Sequence, residues 1–161
     1  MDESKFWELV QRAHDEASDD MDRKCEVLKA EIVKLSKSEA SDFAVLFDTM
    51  MNRAYSHELW GAAYVIHGGC GDDTFNDFRS SLISRGRAGF ERALADPDSL
   101  ADEAFDETAW FYEGYQYAVT AAVKAVAGSQ PGRRVPDRPS GEDWVEDDLA
   151  TRFPRLSAKF R

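Results

Sequence analysis

The sequence predicts an all-α fold: a single-domain orthogonal bundle of about six to eight helices, an extended Pro/Arg-rich connection and a C-terminal helical tail. Three observations predict it. Apolar residues recur at helical spacing over residues 1–127, helix start and stop residues separate those stripes, and from Gly128 the composition changes to GSQPGRRVPDRPSG. The division that follows is a helical core over 1–127, a Pro/Gly/Arg-rich linker or strap over 128–141, and a tail over 142–161 docked on the core.

Phe6, Leu9, Val10, Ala13 and Ala17 trace one face of a first helix, with Asp2 or Ser4 as its cap. SDDMD breaks the pattern, and Cys25, Leu28, Ile32 and Leu35 define a second helix with charged outer faces. Cys25 then reads as a small core residue, since no local cation or dipole would lower its pKa. Ser36-Lys37-Ser38-Glu39 has the spacing of a capping box. The helix it opens carries Phe43, Leu46, Phe47, Met50, Met51 and Ala54, a stripe that reads as core.

Leu59 to Ile83 is the organising stretch. Leu59, Trp60, Ala62, Ala63, Tyr64, Val65 and Ile66 leave no polar face, as expected of an enclosed, central helix. Gly68-Gly69 can close it in the left-handed conformation. Asp72 is placed to cap a second helix beginning at Asp73, whose stripe of Phe75, Phe78, Leu82 and Ile83 includes Arg79. A buried guanidinium needs carboxylates or carbonyls, so a carboxylate partner is expected among Asp72, Asp73, Asp48 and Glu58. Gly86 ends that helix, and Phe90, Ala93 and Leu94 mark a short one running to Asp96-Pro97. A last long helix opens at Thr108 or Asp106 and holds Trp110, Tyr112, Tyr115 and Gly114, whose lack of a side chain implies a close approach. In the tail, Trp144, Leu149, Phe153, Leu156 and Phe160 are apolar anchors that would be wasted on a disordered segment.

The run WGAAYVIHGGCGDDTFNDFR resembles the signature of the bacterial family known as Domain of Unknown Function 4240: Trp-Gly-Ala-Ala-Tyr, then Gly-Gly-Cys, Asp-Asp and Phe-x-x-Phe-Arg. The resemblance extends from FWELV through ALADPDSLAD to YEGYQYA, with RFPRLSAKF also similar. Gly71 departs from it, standing where serine is expected before the aspartates. The resemblance implies a one-domain helical protein of the bacterial cytoplasm and brings no activity, ligand or partner with it.

Twenty basic and thirty-one acidic residues among 161 give a net charge of -11, which repels phosphate backbones and anionic lipid, so neither nucleic acid nor a membrane surface is an expected partner. Two cysteines make no disulfide framework, and MDESKFWEL lacks the basic start and apolar middle of a signal peptide; a reducing cytoplasm is expected. His67-x-x-Cys70 has a spacing that metal ligands use, yet a structural zinc site takes four side chains and only Cys25 or His57 remains to complete one. No metal, cofactor or catalytic set is assigned.

Two functions remain. The favoured one is a non-catalytic protein-interaction or regulatory module, its groove lined by Trp60, Tyr64, Trp110, Tyr112 and Tyr115, with a protein partner or a second copy as the ligand. The alternative is a small-molecule- or metal-binding protein or a cryptic enzyme using His67, Cys70, Asp72, Asp73 and Arg79.

Overall fold

Side-chain oxygens set where five helices begin in the computed structural model, which describes residues 1–161. Asp2 accepts from Lys5 at the head of α1 (Glu3–Ala17), and Asp20 from Arg23 at the head of α2 (Met21–Ile32). Ser36 and Glu39 form the reciprocal capping box of α3 (Lys37–Arg53), and Ser56 accepts from Leu59 to open α4 (His57–His67). Asp106 caps α7 (Glu107–Trp110). Between these lie α5 (Asp72–Ser84), α6 (Arg87–Ala95) and a 3-10 turn (Pro97–Asp102); α8 (Gly114–Ala127), α9 (Leu149–Arg152) and α10 (Pro154–Phe160) complete the chain. The result is an all-helical bundle, and none of its helices is long and apolar enough to cross a membrane.

The structure corrects three readings. Leu35 falls beyond α2, which stops at Ile32. Asp72 is not a cap: Gly71 holds the N-cap position with no side chain to donate to, and both aspartates lie in the first turn, where their charge still favours the helix dipole. The last long helix is two, because the chain breaks at Phe111–Glu113 between α7 and α8.

Packing makes α5 the most enclosed element. It touches α1, α3, α4, α6, α7 and α8, while α2 packs between α1 and α8 and α3 packs on α8. The apolar circumference of α4 is enclosed by other helices, as expected: α5 covers one side, and α9, α10 and the 3-10 turn cover another. One cluster of 38 buried side chains runs from Phe6 to Leu156, so Leu149, Phe153 and Leu156 of the tail belong to the same core as the helices before Gly128.

A second buried cation accompanies Arg79. Lys24 is 0% exposed, and its ammonium has one hydrogen-bond partner, the Ser84 hydroxyl at 3.5 Å. Burial pushes its pKa down to about 8, with Asp19 opposing and Arg85 adding to the shift. Because the folded value lies below the ordinary 10.5, folding carries a penalty at neutral pH that is relieved as pH rises from about 8 to 10.5. Lys24→Met should therefore raise stability at pH 7 by about 1–3 kcal/mol and remove the rise of stability with pH in that window, measured by urea unfolding at a series of pH values.

Candidate functional site

Arg79 is 3% exposed and sits where the helical stripe places it, but no carboxylate lies within ion-pair distance. Its Nη1 donates to the Met51 carbonyl at 2.9 Å, at the end of α3, and its Nη2 to Asn76 Oδ1 at 3.2 Å. The guanidinium also lies over two aromatic faces, 4.6 Å from the Tyr55 ring centre and 4.9 Å from that of Phe75, where the negative ring quadrupoles attract it. Burial, and after it Arg133, lowers its pKa to about 10, so it stays charged at neutral pH. The expected carboxylate partner is thus corrected to a carbonyl, an amide and two rings. Asp48 faces Arg133 instead, at 3.7 Å.

A carboxylate does answer the arginine, at a distance. Asn76 Nδ2 donates to Gln116 Oε1 at 2.7 Å, and Gln116 Nε2 donates to Asp77 Oδ1 at 3.2 Å, so a ladder of two amides joins α5 and α8 between cation and anion. Burial, then Glu113 and Asp73, raises the Asp77 carboxyl to about 6.

The double-glycine loop is tied to this wall of rings. Gly68 closes α4 with φ 74° and Gly69 follows with φ 121°, conformations that side-chain-bearing residues seldom adopt. Trp60 stacks on Phe75 at 4.8 Å and donates through Nε1 to the Cys70 carbonyl at 2.8 Å. The His67 ring packs on Phe111 at 4.6 Å, and its Nδ1 donates to the Gly69 carbonyl at 2.8 Å. The histidine's nearer nitrogen is therefore committed to backbone. Burial, with Asp77 adding to it, pushes the Cys70 thiol up to about 12, the reverse of what a nucleophile requires.

At the α7–α8 break the Ser81 hydroxyl of α5 accepts from the Tyr112 N–H at 2.8 Å and donates to the Tyr112 carbonyl at 3.3 Å, replacing the bonds a continuous helix would make. Tyr112 folds back over Gly114, where a Cβ would meet its ring at 2.7–3.0 Å, and its hydroxyl donates to Asp22 of α2 at 2.5 Å. That bond raises the tyrosine pKa to about 12. Two open clefts of about 540 Å³ each meet at Tyr112 and Gly114. One is lined by His67, Glu107, Phe111 and Glu113, the other by Asp22, Glu26, Lys29 and Tyr117.

Of the ten residues singled out in the sequence, Tyr112 and His67 alone line these clefts. Trp110 is 2% and Tyr115 0% exposed, so neither can border a groove. Trp60 is turned to Phe75 and Tyr64 to Trp144 of the tail, at 5.2 Å. Asp72 and Asp73 are exposed at the start of α5 while Arg79 points inward, so the polar pocket of the alternative reading does not assemble. No group of three or more His, Cys, Asp or Glu side chains is arranged to hold a metal. The residues missed in the sequence are Lys24, Asn76, Asp77, Ser81, Phe111, Glu113 and Gln116. Lys24 lies three residues after Met21 and four before Leu28, so the stripe test that exposed Arg79 also applies to it. The others become neighbours only through tertiary packing.

The model of one family, described as a protein of unknown function (DUF4240), matches residues 1–125. No curated protein and no solved structure matches the chain.

Two substitutions test the ladder. Arg79→Leu leaves the Met51 carbonyl and the Asn76 oxygen without their buried donor, and should lower the free energy of unfolding by about 1–3 kcal/mol in denaturant titrations. The raised value of Asp77 means that folding favours its protonated form. Its contribution to stability should fall as pH rises from about 3.8 to about 6, and the difference between the pH–stability profiles of the native chain and Asp77→Asn should show that fall.

Proposed function

Starting from the chain's membership of the DUF4240 family, a family of unknown function, we propose that it is a non-catalytic protein-interaction module whose partner presents a basic segment to the Tyr112 face. One observation carries the reading: two shallow clefts join at Tyr112, and aromatic rings and carboxylates border them together. Phe111 and Tyr112 are half-buried and Tyr117 is 59% exposed, and Glu107, Glu113, Asp22 and Glu26 stand beside them. Such a surface offers flat apolar area and acceptors in the combination an arginine-bearing segment can use, by stacking and by charge-assisted hydrogen bonds. Lys29 and His67 are the basic side chains along the two clefts.

The net charge of -11 gives long-range attraction for such a partner and raises its association rate. A nucleophilic role for Cys70 draws no support from a thiol held protonated, and the His67 nitrogen bonded to Gly69 is not free to act as its base. The reading places the protein in a reducing bacterial cytoplasm, consistent with its two free cysteines.

The test is a capture experiment from bacterial lysate across a salt series, with the native chain and the Glu107→Lys/Glu113→Lys variant as baits. A protein held by the native bait, released as salt rises from about 0.05 to about 0.5 M and lost from the variant supports the reading. Capture that the charge reversal leaves unchanged overturns it.

A further inference from the structure

The strap between α8 and the tail is held against α3 and the α3–α4 junction at three points. Asn52 Nδ2 donates to the Arg134 carbonyl at 2.6 Å, and Arg133 faces Asp48 at 3.7 Å. Ser140 pairs with the backbone on both sides of Ser56, accepting from His57 and donating to Tyr55, each at 2.9 Å. Residues 132–138 are exposed throughout, and 130–136 form no helix or strand. The segment carries three arginines and one aspartate, the reverse of the chain's overall balance. To solvent it presents Val135, 55% exposed, and the guanidinium groups of Arg134 and Arg138, which make no ion pair with a carboxylate of their own chain. Pro131, Pro136 and Pro139 already restrict its backbone. Docking such a segment in extended form costs less conformational entropy than docking an unrestrained loop, which is how proline-rich segments bind aromatic-lined grooves.

The Tyr112 face is the complement of this segment. Of its carboxylates, Glu26 is answered by Arg23 at 3.6 Å, whereas Glu107 and Glu113 make no ion pair. The Tyr117 hydroxyl donates to Glu113 at 3.1 Å, which orients that carboxylate and leaves its charge in place. The rings of Phe111, Tyr112 and Tyr117 lie along the same two clefts. No strap residue lines either cleft, so the chain's own arginines do not occupy them.

We infer that the Tyr112 face takes the strap of a second copy of this chain, with Arg134 and Arg138 on Glu107 and Glu113 and with Val135 and Pro136 on the rings. The inference rests on the reading of that face as an interaction surface, and it names the partner. Because strap and face are different surfaces, the contact is head-to-tail: each copy offers a strap to one neighbour and a face to another, and the assembly grows until a ring closes. Copies that each carry a net charge of -11 repel one another at long range, while the arginine contacts act at short range. Association is therefore weak and concentration-dependent, and it is strongest at a salt concentration that screens the first effect and spares the second.

Sedimentation velocity of the full chain in about 0.1 M salt tests the inference. The mean mass of the native chain should rise with concentration. Arg134→Ala/Arg138→Ala and Glu107→Ala/Glu113→Ala should each stay monomeric, because each lacks one half of the contact. Their equimolar mixture should form a dimer and nothing larger, since one intact strap meets one intact face. All four positions are exposed, so both variants should keep the native helical circular dichroism. A native chain that is monomeric at every concentration overturns the inference, as does association that either double variant retains, or a mixture that stays monomeric.

The Arg134→Ala/Arg138→Ala chain keeps the Tyr112 face intact, so its use as bait in the lysate experiment separates the two readings. Salt-sensitive capture by that bait, beside a monomeric native chain, overturns docking between copies and leaves the reading of the face standing.

Discussion

The placement of one guanidinium governs the architecture. Arg79 is buried in a protein with eleven more acidic than basic residues, but its stabilisation comes from neutral groups: the end of α3 through Met51, its own helix through Asn76, and the faces of Tyr55 and Phe75. Each of those contacts fixes an element. The ring of Phe75 in turn carries Trp60, and Trp60 holds the carbonyl of Cys70, so the geometry of the double-glycine loop is inherited from the arginine two layers below. A contact ion pair would have required a second desolvated charge in the same place; rings and a carbonyl avoid that cost.

Much of the fold was legible. Periodicity marked the cores of the long helices, and the capping box at Ser36 and the closure at Gly68 are local signals that tertiary context did not override. What misled were features whose cause lies elsewhere in the chain. The all-apolar α4 is enclosed as its sequence says, but nothing local says that residues 144–156 would supply one side of its cover. The run from Asp106 to Val126 looked continuous because its helical stripe hardly falters, while the break at Phe111–Glu113 is stabilised by Ser81, some thirty positions upstream.

The candidate site was less legible than the fold, for a related reason. Aromatic residues are both the best core fillers and the best surface anchors, and sequence alone does not separate Tyr115, wholly enclosed in α8 with an unpartnered hydroxyl, from Tyr112, which lies three residues earlier in the break between α7 and α8. Carboxylates posed the converse problem. Asp72 and Asp73 are adjacent and conspicuous and stand in solvent, whereas Asp77, unremarked between Asn76 and Phe78, is the one whose proton affinity the fold changes most. Its setting depends on Gln116 and Glu113, which only the packing of α8 on α5 brings near.

The amide ladder has a sense of direction. From Arg79 outward every link points its hydrogens the same way, from guanidinium to Asn76, from Asn76 to Gln116, from Gln116 to Asp77. Hydrogen bonds in series polarise one another, and neither amide can be turned end for end without setting two acceptors or two donors face to face. The two helices are thus joined by a one-way dipole chain. The buried cation and the half-buried anion stand at the two ends of that chain, and the amides between them are oriented by both.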